Sequence, residues 1–572
     1  MGIRVEKFKD YKIWWLLAGL LFVKSIILAC LVYPEPFPKS LAVFQYVVLY
    51  LPFIFLVMSV LFLFNGKNGY RVIYYLSLLI SAFYLGDSLY YRAFSTPLTL
   101  YTFGQGVCLD DLWSGIFSLV RPVDLLFIID LPFLSYYISR HQLKAKKNKK
   151  LFVKMFGFSL FLCLVLLFGM KLSSLPAYAI VDRVSPIGYH LNDLKSYFSD
   201  RNFTLSDKDR VKIENWLTQN RIQNSELTSV LHGVFQGKNL IIVQFESLEQ
   251  SVIKLSVEGQ EITPNLNRLL EHSYYFPNIY PQVADGSSSD AELMLTTSLY
   301  PLKRGALFFR YPDNTYPSSL PALLQDQGYS NFAIHGDNAA YWNRNVVYPK
   351  LGFQKFIGEE ELNNADSISM GISDRSTFLQ TVDLLTKQPE PYLAFIITLT
   401  SHMPFTIPDS KKGLTIEKKI NRHLEAYYQS MNYADRALSD FIHALTQKGM
   451  LEDSVIVIYG DHDSYHRYYD KTGDVNDNRI PFIIYNPSVD AQVFKQCGGQ
   501  IDFFPTLADL MGIPANEYSG SIMGKNLLTQ KEGYAVLKGG EYVGDTKDQE
   551  HNLEGPEIAD LMIKSNFLVL GE

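Results

Sequence analysis

Five apolar stretches crowd the first 170 residues, and a chain that carries them all has to find an apolar solvent for most of them. They run Ile13–Tyr33, Leu41–Phe64, Val72–Tyr91, Leu112–Ile138 and Leu151–Met170, and each approaches or exceeds the roughly 20 residues a helix needs to cross hydrocarbon. Any one of them could be a buried soluble helix, but a series of five is hard to house in a globule. The leading MGIRVEKFKDYK is basic, yet no small-residue cleavage site follows the first span and further spans come after it. We therefore read an anchor and not a removed signal peptide.

The basic residues orient the series. Arg4, Lys7, Lys9 and Lys12 precede span one, Lys67 and Arg71 separate spans two and three, and Arg140, Lys144, Lys146, Lys147, Lys149 and Lys150 fill the connection between four and five. Positive-inside counting puts the N-terminus in the cytoplasm and, after five crossings, everything beyond Met170 outside. Asp124 and Asp130 inside span four are costly in lipid, so the expectation is a groove or another helix facing them. Residues 1–170 are thus expected to form a transmembrane domain of five helices, followed by a connector at 171–237 and an extracellular domain at 238–572. Within the connector, Ser206 ahead of Asp209 should cap a helix running through Trp216. Ala177-Tyr178-Ala179 has the form of a signal-peptidase box.

From Lys238 the texture changes. Short runs rich in β-branched residues, NLIIVQF, NFAIHG, YLAFIITL, SVIVIYG and PFIIY, alternate with amphipathic stretches such as Ser319–Gln327, which Gly328 ends. Runs of that kind suit strands buried on both faces, so the fold class expected is α/β with a largely parallel central sheet. A formal charge of -6 argues against nucleic acid as a partner. The four cysteines form no CxxC pair and three of them lie in the apolar third, which argues against a disulfide-stapled secreted fold and a cysteine-based zinc site. The tail after Leu527 is acidic and Gly-rich and offers little to assign.

Chemistry-bearing residues sit at the ends of these runs, where α/β folds gather their sites. NLIIVQF leads into Glu246, SVIVIYG into Asp461 and His462, and NFAI into His335-Gly336-Asp337. Between them, QVADGSSSDAELMLTTSLYPL places three serines at a glycine turn that opens a helix, with Asp290 and Glu292 as acids of its first turn. Glu246, Asp461 and His462 with one hydroxyl of that turn would make a mainly oxygen site with one nitrogen. That set suits Mn²⁺ or Mg²⁺ better than a thiolate-seeking metal, with zinc permitted by ligand type.

In the order and spacing of VQFESLE, GSSSDAELMLTTSLYPL, HGDNAAYWNR, LTSHMPF, YGDHD and GQIDFFPTLADLMGI, residues Lys238 to about Leu527 resemble the lipoteichoic acid synthase family. These are membrane-anchored phosphoglycerol transferases of the alkaline phosphatase and sulfatase superfamily. The resemblance implies that Glu246, Asp461 and His462 hold the metal and that Ser288 takes the place of the family's nucleophilic threonine and completes the metal set. It further implies that His335, Asp337, Trp342, Arg344 and His402 line the phosphoglycerol pocket. The donor implied is phosphatidylglycerol, the acceptor a glycolipid or a growing polyglycerol-phosphate chain, and the setting the plasma membrane of a Gram-positive bacterium. Two features depart from the pattern: Ser288 lacks the threonine methyl, and Ser287 stands where the family commonly has lysine.

Other endings for the same site remain open at this point. Water could complete the reaction, as in a phosphodiesterase or sulfatase-like hydrolase, although SDAEL lacks the C/S-x-P-x-R context of formylglycine sulfatases. Phosphoethanolamine transfer is nearer in chemistry, but such enzymes are typically rich in disulfides. A catalytically idle scaffold that binds polyanionic polymer is the reading from a different class.

Overall fold

The computed structural model describes residues 12–32, 42–94, 98–101, 119–140, 147–171, 185–201, 203–223, 228–417, 419–464 and 478–570. Arg4, Lys7, Lys9, Lys144, Lys146, the 112–118 start of the fourth span and the Ala177-Tyr178-Ala179 triplet lie outside the described residues. Contacts divide the chain into two compact units, one comprising 1–100 with 116–202 and the other 101–115 with 203–572.

The first unit is helical. Its elements are α1 (Lys12–Val32), α2 (Ala42–Ser59), α3 (Gly66–Phe94), α4 (Asp130–Arg140, preceded by a 3₁₀ turn at Pro122–Phe127), α5 (Lys149–Lys171) and α6 (Pro186–Arg201). Among the described residues, Trp14–Leu31, Asn68–Arg92 and Pro122–Arg140 are long and apolar enough to cross a membrane, and Val47–Leu63 is a shorter apolar helix. Trp14, Phe53, Phe62, Tyr84 and Phe127 build its core, while Trp15, Val23, Phe133 and Phe161 are exposed, the outward apolar surface a lipid-facing bundle needs. The two aspartates of the fourth span face other helices, as expected. Asp130 pairs with Lys24 at 2.6 Å and Asp124 with Arg92 at 2.7 Å.

The second unit is α/β. Its sheet has nine strands among the described residues: β1 (Asn239–Phe245), β2 (Ser273–Tyr280), β3 (Ser330–His335), β4 (Phe356–Ile357), β5 (Tyr392–Ile397), β6 (Ser454–Gly460), β7 (Ile480–Tyr485), β8 (Gln492–Val493) and β9 (Gly498–Gly499). The order is β8-β2-β7-β6-β1-β5-β3-β4, with β9 also on β2. Strands β6, β1, β5, β3 and β4 are mutually parallel, and β7 runs antiparallel to both β6 and β2. Every residue of β1 and β6 is buried, which is why their centres, LIIV and VIVI, are continuously apolar instead of alternating.

Between the strands lie α8 (Ser288–Thr297), α9 (Leu320–Asp326), α10 (Arg344–Lys350), α11 (Asp374–Leu385), α12 (Arg422–Gln447) and α13 (Phe503–Leu510). Ser319 caps α9 by accepting the Ala322 N–H, as its place before the apolar run predicts.

The stretch expected as a connector is shared between the units. Pro186–Arg201 belongs with the first, while α7 (Asp207–Gln223) belongs with the second. Ser206 caps α7 as expected, its Oγ accepting the Asp209 N–H at 3.1 Å and donating to Asp209 Oδ2 at 2.6 Å. The tail that read as unassignable is structured: β10 (Tyr534–Val536) pairs with β11 (Tyr542–Gly544), and α14 (Gln549–Ser565) packs on α7. There the Trp216 indole donates to the His551 carbonyl at 3.0 Å.

Candidate functional site

Register decides which side chains meet. In the parallel pair β1 and β6, Phe245 lies opposite Gly460, so the next residues, Glu246 and Asp461, emerge side by side at the carboxyl ends. Ser247, in the left-handed region at φ 56°, turns the chain there and donates its N–H to Asp461 Oδ1 at 2.8 Å. The Glu246 N–H is taken by Thr398 Oγ1 at 2.9 Å, just past the end of β5. Gln500, fully buried, donates Nε2 to the Asp461 carbonyl at 2.6 Å and accepts the Gln282 N–H at 2.8 Å. It thus ties the Asp461 strand end to the start of the serine loop.

The serine loop is held by its own acid. Asp290 Oδ2 accepts the N–H groups of Ala284 at 2.8 Å and Gly286 at 2.9 Å. A Cβ on Gly286 would fall 2.1 Å from Asp290 Oδ1, so the glycine is required for close approach. The strained backbone of this turn is that of Ser287, at φ 47° and ψ -120°. Burial pushes Asp290 up to about 7, against the two N–H groups it accepts. Ser288 then begins α8, as its place after the turn predicts.

Four side chains converge. Ser288 Oγ lies 3.4 Å from Glu246 Oε2 and 3.4 Å from His462 Nε2. His462 Nε2 in turn lies 3.5 Å from Glu246 Oε1 and 3.4 Å from Asp461 Oδ2. Ligand atoms of Glu246, Asp461 and His462 all fall within 4.8 Å of one another, and all three residues are buried. His462 Nδ1 donates to the Asp463 carbonyl at 2.9 Å, so Nε2 is the nitrogen presented to the cluster. Asp461 Oδ2 accepts no hydrogen bond among the described residues. Burial, then the Glu246 charge, raises Asp461 to about 7. For His462 burial acts downward, but Asp461 and Glu246 overcome it and lift the imidazole to about 9. Two crowded carboxylates, an orphaned buried oxygen and an inward imidazole nitrogen fit a divalent cation.

Of the residues expected to line the pocket, His402 lies near enough to His462, Asp461 and Asp337 to feel their charges, and His335 near enough to Arg344 and His402. His335 is the last residue of β3, and its Nδ1 donates to the Ile397 carbonyl at 3.0 Å. His402 Nδ1 donates to the Met403 carbonyl at 2.7 Å. Both imidazoles therefore keep Nε2 as an acceptor when neutral. Burial, then Arg344 and His402, holds His335 well below its ordinary value. His402 is lowered chiefly by burial, with His462, Asp461 and Asp337 near enough to act on it. Asp337 caps its own loop, accepting the Asn338 N–H at 2.7 Å. Trp342, at φ 56° in the turn before α10, is half-buried against Phe309 and Tyr341. No described contact joins it to the four-residue cluster.

Arg344 is the residue whose surroundings the sequence did not disclose. It is buried, and Glu292 takes its Nε at 3.1 and 3.2 Å and its Nη2 at 2.6 Å. Tyr348 donates to the other Glu292 oxygen at 2.7 Å. Burial works against the guanidinium charge, but Glu292 prevails and holds its pKa above the ordinary value. Nη1 makes no hydrogen bond among the described residues. Gln244, two residues before Glu246, donates to the Ser288 carbonyl at 3.3 Å and accepts from the Tyr459 hydroxyl. Glu292, expected as an acid of the first helical turn, is thus an arginine partner. Its spacing of four from Ser288 is the one signal that could have placed it on the site's face.

Comparison with known proteins agrees with this architecture. Residues 238–513 match the sulfatase family model and residues 2–200 the model of the lipoteichoic acid synthase N-terminal domain. The lipoteichoic acid synthase of Staphylococcus saprophyticus is 30% identical over 531 residues, covering 87% of this chain and 80% of that protein. Lipoteichoic acid synthase 1 of Bacillus subtilis is 29% identical over 493 residues, 79% of this chain and 75% of its own length. The crystal structure of a lipoteichoic acid synthase from Listeria monocytogenes superimposes with a TM-score of 0.53 at 26% identity, covering 61% of this chain and 98% of that one. With an apolar helical unit ahead of a sulfatase-like α/β unit, and relatives matched along most of both lengths, the chain belongs to the lipoteichoic acid synthase family and is a transferase.

Proposed function

We propose that the protein moves glycerol phosphate from phosphatidylglycerol to the terminal hydroxyl of a glycolipid or of a growing polyglycerol-phosphate chain, through a phosphoglycerol ester on Ser288. The observation that carries this reading is the approach of Ser288 Oγ to both Glu246 and His462 at 3.4 Å, at the start of α8. In the first half, a bond forms from Ser288 Oγ to phosphorus and the bond from phosphorus to the diacylglycerol oxygen breaks. The serine proton ends on the departing diacylglycerol. In the second half the acceptor oxygen attacks phosphorus, and Ser288 leaves with the acceptor's proton.

The chain's own groups supply position and charge. Glu246, Asp461, His462 and Ser288 would hold Mn²⁺ or Mg²⁺, which when bound lowers the serine hydroxyl's pKa and screens the phosphate. Arg344, whose Nη1 makes no hydrogen bond among the described residues, would donate to phosphate oxygens. His335 and His402 offer neutral Nε2 acceptors to the glycerol hydroxyls, and Asp337 and Trp342 complete the pocket. The helices of 1–170, read as five spans with a cytoplasmic N-terminus, keep the extracellular site at the plasma-membrane surface where its lipid donor lies, which raises encounter without adding contacts.

Incubating the full-length protein with phosphatidylglycerol and Mn²⁺ tests this. Diacylglycerol release and a Ser288 peptide heavier by one glycerol phosphate are expected. Folded protein that yields neither refutes the reading, and free glycerol phosphate as the sole other product would indicate a hydrolase instead.

A further inference from the structure

Glu292 and Ser288 share one face of α8, a single turn apart, and this makes the helix do two things at once. Its first residue presents the hydroxyl. Its fifth, fully buried, grips Arg344 along the Nε and Nη2 edge and is itself braced by Tyr348 and by Gln244 at 3.5 Å. An arginine meant to clamp a doubly charged phosphate would face it with an unopposed charge. This one is paired through three contacts before any ligand arrives, and its Nη1 makes no hydrogen bond among the described residues. Pairing of that kind counts most where water is excluded, because the effective dielectric falls. The neighbouring imidazoles add no charge of their own while neutral. A divalent ion at Glu246, Asp461 and His462 would likewise meet two acidic side chains already in place.

We propose that Glu292 is a positioning and specificity-determining residue: by orienting Arg344 and offsetting its charge, it makes the pocket favour a singly charged phosphodiester over a doubly charged phosphomonoester. The inference rests on the proposed function, since it takes a phosphate ester to be the ligand at Arg344. It also gives the pairing a purpose. A diester donor enters readily, and a monoester such as free glycerol phosphate does not compete for the site.

The test is equilibrium binding by calorimetry, using full-length protein in detergent with Ser288→Ala so that nothing turns over, with and without Mn²⁺. The probes are sn-glycerol 1-phosphate, doubly charged at mildly alkaline pH, and glycerophosphoglycerol, singly charged. The parent should bind the diester at least as tightly as the monoester. Adding Glu292→Gln keeps an acceptor for the guanidinium but removes the offsetting charge, and should shift the affinity ratio toward the monoester on the order of tenfold. Glu292→Asp should restore the parent ratio. Glu292→Gln with Arg344→Gln removes both charges, so binding should weaken while the ratio stays near the parent's, which keeps the test open if the single variant fails to fold.

A ratio unmoved in folded Glu292→Gln, or one that moves equally in the double variant, overturns the inference and leaves the functional reading standing. A parent that binds neither ester overturns both.

Discussion

Two buried arginine–carboxylate pairs, one in each unit, show what separates a strut from a site. In the helical unit Arg92 spends both terminal nitrogens: Nη1 on the Leu119 carbonyl and Asp124 Oδ2, both at 2.7 Å, and Nη2 on Ser88 at 2.8 Å and Asp124 Oδ1 at 2.7 Å. Asp124 also accepts from the Arg121 N–H at 2.7 Å. Both Nη nitrogens and both carboxylate oxygens are thus engaged within the protein. In the α/β unit Arg344 is equally buried, but Glu292 holds one edge and Nη1 is left over. Residues 2 and 5% exposed look alike by burial, and the count of satisfied donors tells them apart.

The largest effect should come from breaking the saturated pair. Arg92→Leu leaves Asp124 buried with its partner gone, which costs about 3–5 kcal/mol. Chemical denaturation in detergent should show that loss, with phosphoglycerol transfer per folded molecule unchanged. A stable Arg92→Leu protein that has lost activity would mean that Arg92 serves the reaction and not the fold. Next comes Arg344→Lys, which keeps charge but loses the planar fork. Transfer should fall by roughly a hundredfold or more, in line with removing one preorganised donor to a reacting oxyanion. Denaturation midpoints should move much less than for Arg92→Leu, because an ammonium still meets Glu292.

What could be read from the chain follows the same line. The β-branched runs, Ser288 after its glycine turn, and acids and histidines at strand ends were legible because local sequence dictates them. Glu246 and Asp461 were legible as strand ends, and only the Phe245 to Gly460 register makes them neighbours. The pairing of Glu292 with Arg344, 52 residues apart, was not, because nothing local in either segment names its partner. Strand β2 escaped because SYYFPNIY is half aromatic and carries a proline, which reads as a loop, yet it sits inside the sheet between β7 and β8. The tail escaped because its helix is stabilised by packing on α7 and not by its own pattern.

A smaller effect probes the open valences directly. With Asp461 raised to about 7 and His462 to about 9, the cation-free cluster holds protons that a metal must displace. Raised values mean proton retention at low pH, so cation affinity should climb with pH. The slope should be about tenfold per unit between pH ~7 and ~9, where His462 alone releases a proton, and steeper below ~7, where Asp461 joins it. Mn²⁺ titration of the full chain across that range measures it. Affinity independent of pH would mean that these groups do not bind the ion.

The smallest effect is the subtlest test of the nucleophile. Ser288→Thr keeps the hydroxyl and adds a methyl that narrows the side-chain rotamers at the first residue of α8. The strained Ser287 backbone already aims this position, and Oγ already sits 3.4 Å from both Glu246 and His462, so there is little orientation left for the methyl to supply. Transfer rates should therefore change by less than about fivefold in either direction, under about 1 kcal/mol of barrier. A gain of a hundredfold would show that the serine is loosely held and that the loop preorganises it less than its backbone implies. An equal loss would put the methyl against Gln244 or the α8 backbone, and would make the packing around Ser288, and not its rotamer freedom, the limit on the reaction.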